Sequence, residues 1–232
     1  MFRTKSIFAS SAARKLLCEH QLQSLDQIRH NCTVITQRKY GSVSATDLRT
    51  EHDQIRVYVK QQWCWNRWIP RPCDVWRGHA FCPGPLREWN GLSWLRGAGL
   101  LAAEPLALFY RRMPSPVSAI VIKHVPPKSS LFDLLTSGKL NRLEPDQQNA
   151  LAGSVAAVLQ KLHRAGYAWH GVHAKHLYPA PKENKAWDIW LIDCESVHSR
   201  ITDRAARRDV RSLLRSFETV SGDDGFRRMV AD

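Results

Sequence analysis

Apolar and polar positions first fall into register near residue 55. There Ile55, Val57 and Val59 alternate with more polar neighbours up to Lys60, and period two predicts a strand. Residues 86–97 follow the helical period instead. Leu86, Trp89, Leu92 and Leu95 form one stripe, and Gly97 and Gly99 lie where that helix should end. Leu106, Leu108 and Tyr110 alternate again, and the run Ala119–Val125 reads as a buried strand stopped by two prolines. Ser130 is placed to cap a short helix that ends at Gly138. The strongest helical pattern runs from about Asp146 to Ala165, with Leu151, Val155, Val158, Leu159 and Leu162 on one face and Gly166 as its C-terminal stop. In WDIWLID, Ile189 and Leu191 face one way and Trp190 and Ile192 the other. Asp203 is placed to cap a last helix carrying Val210, Leu213, Leu214 and Phe217.

The first fifty residues are weakly patterned, and residues 63–85, rich in Trp, Pro and Cys, read as a loop with aromatic anchors. A strand-rich first half and a helix-rich second half predict an α+β fold of two lobes with a cleft. The boundaries expected are an N-terminal extension at 1–30, a strand-rich lobe at 31–125 and a helical lobe at 126–232.

Composition narrows the function classes. A hydrophobic fraction of 44% in 232 residues supports a packed core rather than disorder. A formal net charge of +13 favours anionic partners without choosing among nucleic acid, acidic lipid and phosphates. No nucleic-acid motif accompanies the charge, so nucleic acid is not the expected partner. The six cysteines form no C-x-x-C pair, which argues against zinc and for free thiols in a reducing cytoplasm. The basic, Ser-rich start, MFRTKSIFASSAARKLL, superficially resembles a transit peptide but reads more simply as a short amphipathic helix or a frayed end. No run approaches the ~20 apolar residues that span a bilayer, so a soluble or peripheral protein is expected.

The candidate chemistry is phosphoryl transfer. It requires a lysine to hold phosphates, an acid to hold the lysine, carboxylates for magnesium and a base near the acceptor hydroxyl. Lys60 ends a strand, and Glu88, near the start of the next helix, is its candidate partner. The plain alternative is an exposed lysine and a helix-start glutamate favoured by the macrodipole. Asp193 closes an apolar strand, where a carboxylate needs a cation or donors. Magnesium would be such a cation, and an ordinary turn aspartate is the alternative. His170, His173 and His176 lie three apart in the loop between the long helix and that strand.

Together these segments resemble the lipopolysaccharide kinase (Kdo/WaaP) family. LHRAGYAWHGVHAKHLY followed by WDIWLIDCESV is similar to its catalytic loop and metal-binding strand, and RVYVKQQW to its lysine strand. REWNGLSWLRGAGLLAAEPLAL resembles its Glu helix, AIVIKHVPPKSSLFDLL its hinge, RRDVRSLLRSF the segment beyond, and KYGSVS a reduced glycine loop with Gly41. The resemblance implies a kinase fold using ATP and Mg2+, with a sugar or lipopolysaccharide-type acceptor met at the cytoplasmic face of the inner membrane. It implies phosphate binding by Lys60, Glu88 and Gly41, and metal binding by Asp193, with His176 where a kinase has its metal-binding Asn. The departures are specific. Val172 stands where active members carry the base Asp after His170, which leaves His173 or Lys175 as substitutes. Lys123 and His124 occupy the hinge. An HG pair followed by a non-acidic residue and then Lys175-His176 resembles the InaA-like branch, which implies the other reading, a pseudokinase that binds nucleotide without turnover.

Overall fold

The computed structural model describes residues 4–50, 53–63, 84–111, 117–183, 186–199, 201–218 and 230. Of the aromatic loop predicted at 63–85, residues 64–83, with Cys64, Cys73 and Cys82, lie outside the described residues, while Trp63 ends a strand and Gly84 and Pro85 open a helix. The chain divides into two compact units, Met1–Leu92 with Ala103–His124 and Ser93–Ala102 with Val125–Asp232.

The first unit is a six-stranded antiparallel sheet. Its strands are β1 (Lys5–Phe8), β2 (Thr33–Arg38), β3 (Gly41–Arg49), β4 (Gln54–Trp63), β5 (Pro105–Arg111) and β6 (Val117–Lys123), in spatial order β1-β5-β6-β4-β3-β2. The helices α1 (Ser11–Glu19) and α2 (Leu25–Asn31) start at Ser10 and Ser24, whose hydroxyls accept from Ala13 N and Gln27 N. They cover one face of the sheet. Leu17, Leu22 and Ile28 pack there with Val57 and Val59 of β4, Ala107 and Phe109 of β5, and Ala119 and Val121 of β6. Period two therefore turns Tyr58 and Lys60 to the opposite face. Lys60 lies directly across from Val43 on β3 and Ile120 on β6.

Within residues 5–49 only α1 answers to an expectation, the short amphipathic helix read in the basic N-terminal segment, and the other elements escaped the sequence pattern. β1 has four residues, β2 is exposed along its whole length, and β3 buries Ser42, Ser44 and Ala45, with Leu48 its one large buried apolar side chain. The two helices have nine and seven residues, too short for a clear apolar stripe.

α3 (Gly84–Gly97) starts two residues before the predicted helix, and Gly99 turns the chain at φ 71°. In the second unit, α4 (Leu131–Thr136) carries the predicted Ser130 cap, strengthened by a reciprocal bond from Ser130 N to Asp133. α5 (Pro145–Arg164) buries Leu151, Ala152, Val155, Leu159 and Leu162, while Val158 is only half-buried. Gly166 ends the turn after it at φ 85°. Two ribbons follow: β7 (Ala168–Trp169) pairs with β10 (Val197–His198), and β8 (Leu177–Pro181) pairs with β9 (Trp187–Leu191). β8 had no strand pattern because Pro179 and Pro181 interrupt it. A two-stranded ribbon leaves one edge free, which is where proline is tolerated. α6 (Asp203–Glu218) is capped by Thr202, whose Oγ1 accepts from Ala205 N at 3.1 Å, rather than by Asp203, which sits in the first turn.

Cys18, Cys32 and Cys194 are free thiols, and burial pushes the Cys32 thiol up to about 11. No described helix is long and apolar enough to cross a membrane.

Leu17 is fully buried between α1 and the sheet. Leu17→Ala should lower the unfolding free energy by about 2–5 kcal/mol. Denaturant unfolding of the full chain measures this, and an unchanged midpoint would show that the N-terminal helices are not part of the core.

Candidate functional site

The first unit holds a lysine fixed on its sheet. Lys60 is hydrogen-bonded into β4 between β3 and β6, and its Nζ donates to Glu88 Oε1 at 2.6 Å. Glu88, on α3, is 2% exposed, and such a carboxylate is tolerable only with a cation beside it. Gln62, two residues beyond Lys60, accepts from Gly84 N at 2.7 Å and fastens the start of α3 to the same strand. Thus β4 supplies both the ammonium and the anchor of the helix that carries its partner.

Gly41 opens β3 just after the Lys39–Tyr40 turn and lies across from Gln62. A Cβ there would come within 2.5 Å of the Gln61 carbonyl oxygen, so the sheet register alone demands glycine. At the end of β6, His124 N donates to Arg56 O, and its ring meets Tyr58 edge-on at 5.5 Å. Burial, with Arg56 nearby, holds its imidazole below the ordinary 6.5.

The second unit holds the loop between β7 and β8. His170 is half-buried, and Gly171 turns the chain at φ 85°, a conformation that a side chain would strain. Val172 is fully buried, with its N–H donating to Trp169 O. His173 caps a single 3-10 turn, Ala174–His176, by accepting at Nδ1 from Lys175 N at 3.2 Å. This bond leaves the proton of the neutral ring on Nε2. Burial and the adjacent Lys175 charge keep the imidazole below 6.5, hence neutral at pH 7. Lys175 is exposed. His176 stacks on Trp169 with centroids 5.8 Å apart. Its carbonyl accepts from Ile192 N at 3.1 Å, and its Nε2 lies 3.7 Å from Asp193 Oδ2. The loop and the end of β9 are thereby tied together.

Asp193 adopts φ 57°, left-handed backbone that is uncommon outside glycine and concentrates at functional sites. Its side chain is 43% exposed, so it is open to a ligand. Mg2+ is commonly held by one or two carboxylates together with substrate phosphates and water. A half-exposed carboxylate on a fixed turn fits that demand, whereas the imidazole of His176 is a poor ligand for so hard a cation. Among the described residues no group of three His, Cys, Asp or Glu side chains converges as a self-sufficient metal cage.

One functional group was missed in the sequence. Asp209, wholly buried on α6, accepts from Trp169 N at 2.7 Å and lies 3.2 Å from His163 Nε2. Ser216, two turns on, accepts from Ala174 N at 3.0 Å. The helix thus grips the loop on either side of Val172. The available signal was a polar residue at i+4 within the stripe Ala205, Asp209, Leu213, Phe217, where burial requires a partner.

The sequence model of the lipopolysaccharide kinase (Kdo/WaaP) family matches residues 34–228. The chain belongs to this family. Among solved structures, WaaP in complex with acyl carrier protein shares the fold, with a TM-score of 0.67 and 17% identity over 98% of this chain and 88% of that one. No curated protein matches the sequence. The α+β architecture expected from the sequence, with a strand-rich first part and a helical second part, is therefore that of the WaaP kinase fold. Within a Kdo/WaaP chain, the burial of Val172 is the departure with chemical weight. The resemblance led to the expectation of an Asp there, and a valine has no group that takes up a proton.

Asp209→Ala should cost about 1–3 kcal/mol, because Trp169 N loses its acceptor inside the protein. Hydrogen exchange at Trp169 should accelerate more than exchange within β4. Equal acceleration everywhere would mean that the carboxylate does not anchor the loop specifically.

The His173 pKa is lowered in the folded state, so the unfolded chain takes up the proton first as pH falls below 6.5. Stability from this residue is complete above 6.5 and declines as pH drops through the lower folded value. His173→Gln should flatten the pH dependence of Tm in that window, and an identical profile would remove His173 from the acid response.

Proposed function

We propose that this chain is an ATP-dependent phosphotransferase acting on a sugar hydroxyl of the lipopolysaccharide core or a related glycan, working in the cytoplasm. The observation that carries this reading is the Lys60–Glu88 pair, an ammonium held 2.6 Å from a buried carboxylate on a sheet. Such a pair is what phosphoryl transfer asks of a protein, since catalysis there is mainly positioning and electrostatics. Lys60 would hold phosphate oxygens, with Glu88 fixing its position. Gly41, at the hairpin end, would let the backbone lie close to them. Asp193 would hold Mg2+, with His176 orienting its carboxylate. When bound, ATP and Mg2+ supply the phosphoryl group and the neutralisation of its developing charge.

His170 is read as the residue that shapes the loop, and the acceptor proton is the weak point. For His173 Nε2 to act as a base, the ring must change tautomer and give up the bond from Lys175 N. Lys175 is a cationic donor and would steady charge rather than take a proton. Loss of a general base typically lowers the rate by ~10²–10⁴-fold, so the expected turnover is slow. The second reading, an InaA-like module that binds nucleotide without turnover, is favoured by the buried Val172.

The experiment is phosphotransfer from γ-labelled ATP with Mg2+ to envelope glycolipid, paired with nucleotide-induced thermal shift. Lys60→Met alone should destabilise the fold by about 3 kcal/mol by stranding Glu88. Lys60→Met with Glu88→Gln should recover much of that loss yet show neither transfer nor shift. Shift without transfer in the parent chain selects the second reading. Absence of both would sink the nucleotide-binding premise altogether.

A further inference from the structure

α6 has a second face that the loop does not use. Arg204, Arg207, Arg208, Arg211 and Arg215 recur along it. At 100° per residue these five positions share an arc of about 100°, and they span about 16 Å of helix. The buried positions Ala205, Asp209, Leu213, Ser216 and Phe217 fill the opposite arc. Arg204, Arg207, Arg211 and Arg215 are exposed and Arg208 is half-buried. Among the described residues, none of the five guanidiniums makes an ion pair, hydrogen bond or ring contact. Asp209 faces inward, Asp203 stands at the N-terminal end and Glu218 at the C-terminal end, one turn beyond Arg215, so the acidic residues of this face lie only at the two ends of the row.

Like charges three and four residues apart repel and weaken a helix. About three turns of arginine with acidic residues only at the two ends are therefore a standing electrostatic cost that a polyanion would relieve. Arginine is also the side chain best matched to phosphate, through its planar fork of donors. The row is straight and one-sided, which suits a plane of phosphates. No aromatic side chain interleaves with it, as a single-stranded nucleic acid platform would require. The opposite face is packed against the protein, so the rod cannot enter a duplex groove as a recognition helix does.

We propose that the outward face of α6 docks this protein on an anionic membrane surface, with Arg204, Arg207, Arg211 and Arg215 binding lipid phosphates. Docking is independent of nucleotide and of phosphotransfer, so it stands or falls apart from the activity proposed above.

The test is co-sedimentation of the full chain with phosphatidylglycerol-containing vesicles, with pure phosphatidylcholine vesicles as reference. The parent should bind the anionic vesicles, weaken steeply with salt and ignore the neutral ones. Each basic residue near an anionic surface strengthens partitioning about fivefold, so replacing all four by Gln should weaken it on the order of 10²–10³-fold. The matching Lys variants should retain most of the binding. Arg208 is left in place because its Nε is buried, and an unchanged Tm would show the Gln variant folded. Equal binding by parent and Gln variant, equal binding to neutral vesicles, or release of the parent from vesicles by RNA at matched charge would each overturn the proposal.

Discussion

A carboxylate that is 2% exposed must be matched by positive charge, and for Glu88 the match is Lys60. Much of the first unit is consistent with serving this requirement. β4 is paired on both sides, so Lys60 cannot drift, and its alternation sends Val57 and Val59 into the core while Lys60 faces the other way. The Gln62–Gly84 bond sets where α3 begins, and Glu88 follows one turn later. Well-packed apolar residues would serve stability as well as a buried ion pair does. What the pair adds is an ammonium held at one point on a sheet.

That pairing was legible in the sequence because both partners sit in strongly periodic segments. The alternation at 55–60 fixed the facing of Lys60, and the helix after residue 85 placed Glu88 near its start. The same holds for Ser130, Gly166 and the facing of Ile189 and Leu191, where local chemistry and tertiary packing agree. Legibility failed where burial used small or polar side chains. β3 draws three of its four buried residues from Ser and Ala, β2 has no buried face, and β8 contains two prolines. Asp209 failed for a related reason: its partner is a backbone N–H forty residues away, which no local pattern encodes.

The loop is held firmly at the point where its chemistry is thinnest. Trp169 N, Ala174 N and the His176 carbonyl are all tied down, to Asp209, Ser216 and Ile192, while Val172 between them faces the interior. The valine is therefore accommodated by the fold and is not a strained substitution. In phosphoryl transfer the base contributes less than positioning and charge neutralisation. On the function proposed above, the lysine pair and the left-handed Asp193 would be the parts with the greater share of the catalytic effect. The cost of φ 57° at a non-glycine residue persists only where the surroundings enforce it, and here the Ile192–His176 bond sits immediately beside it.

α6 is where these constraints meet. Its inner face determines the geometry of the loop through Asp209 and Ser216, and its outer face carries a row of arginines that make no ion pair among the described residues. The two faces belong to one rigid rod, so a small rotation about the helix axis that brings the arginines onto a surface also moves the acceptors of Trp169 N and Ala174 N. Those bonds are short and buried, and breaking them leaves donors unsatisfied. The inner face therefore resists rotation, and a surface that engages the outer face must accept the orientation that the loop already sets. In this way the hydrogen bonds that hold the loop would also fix how the second unit is presented to whatever the arginines bind.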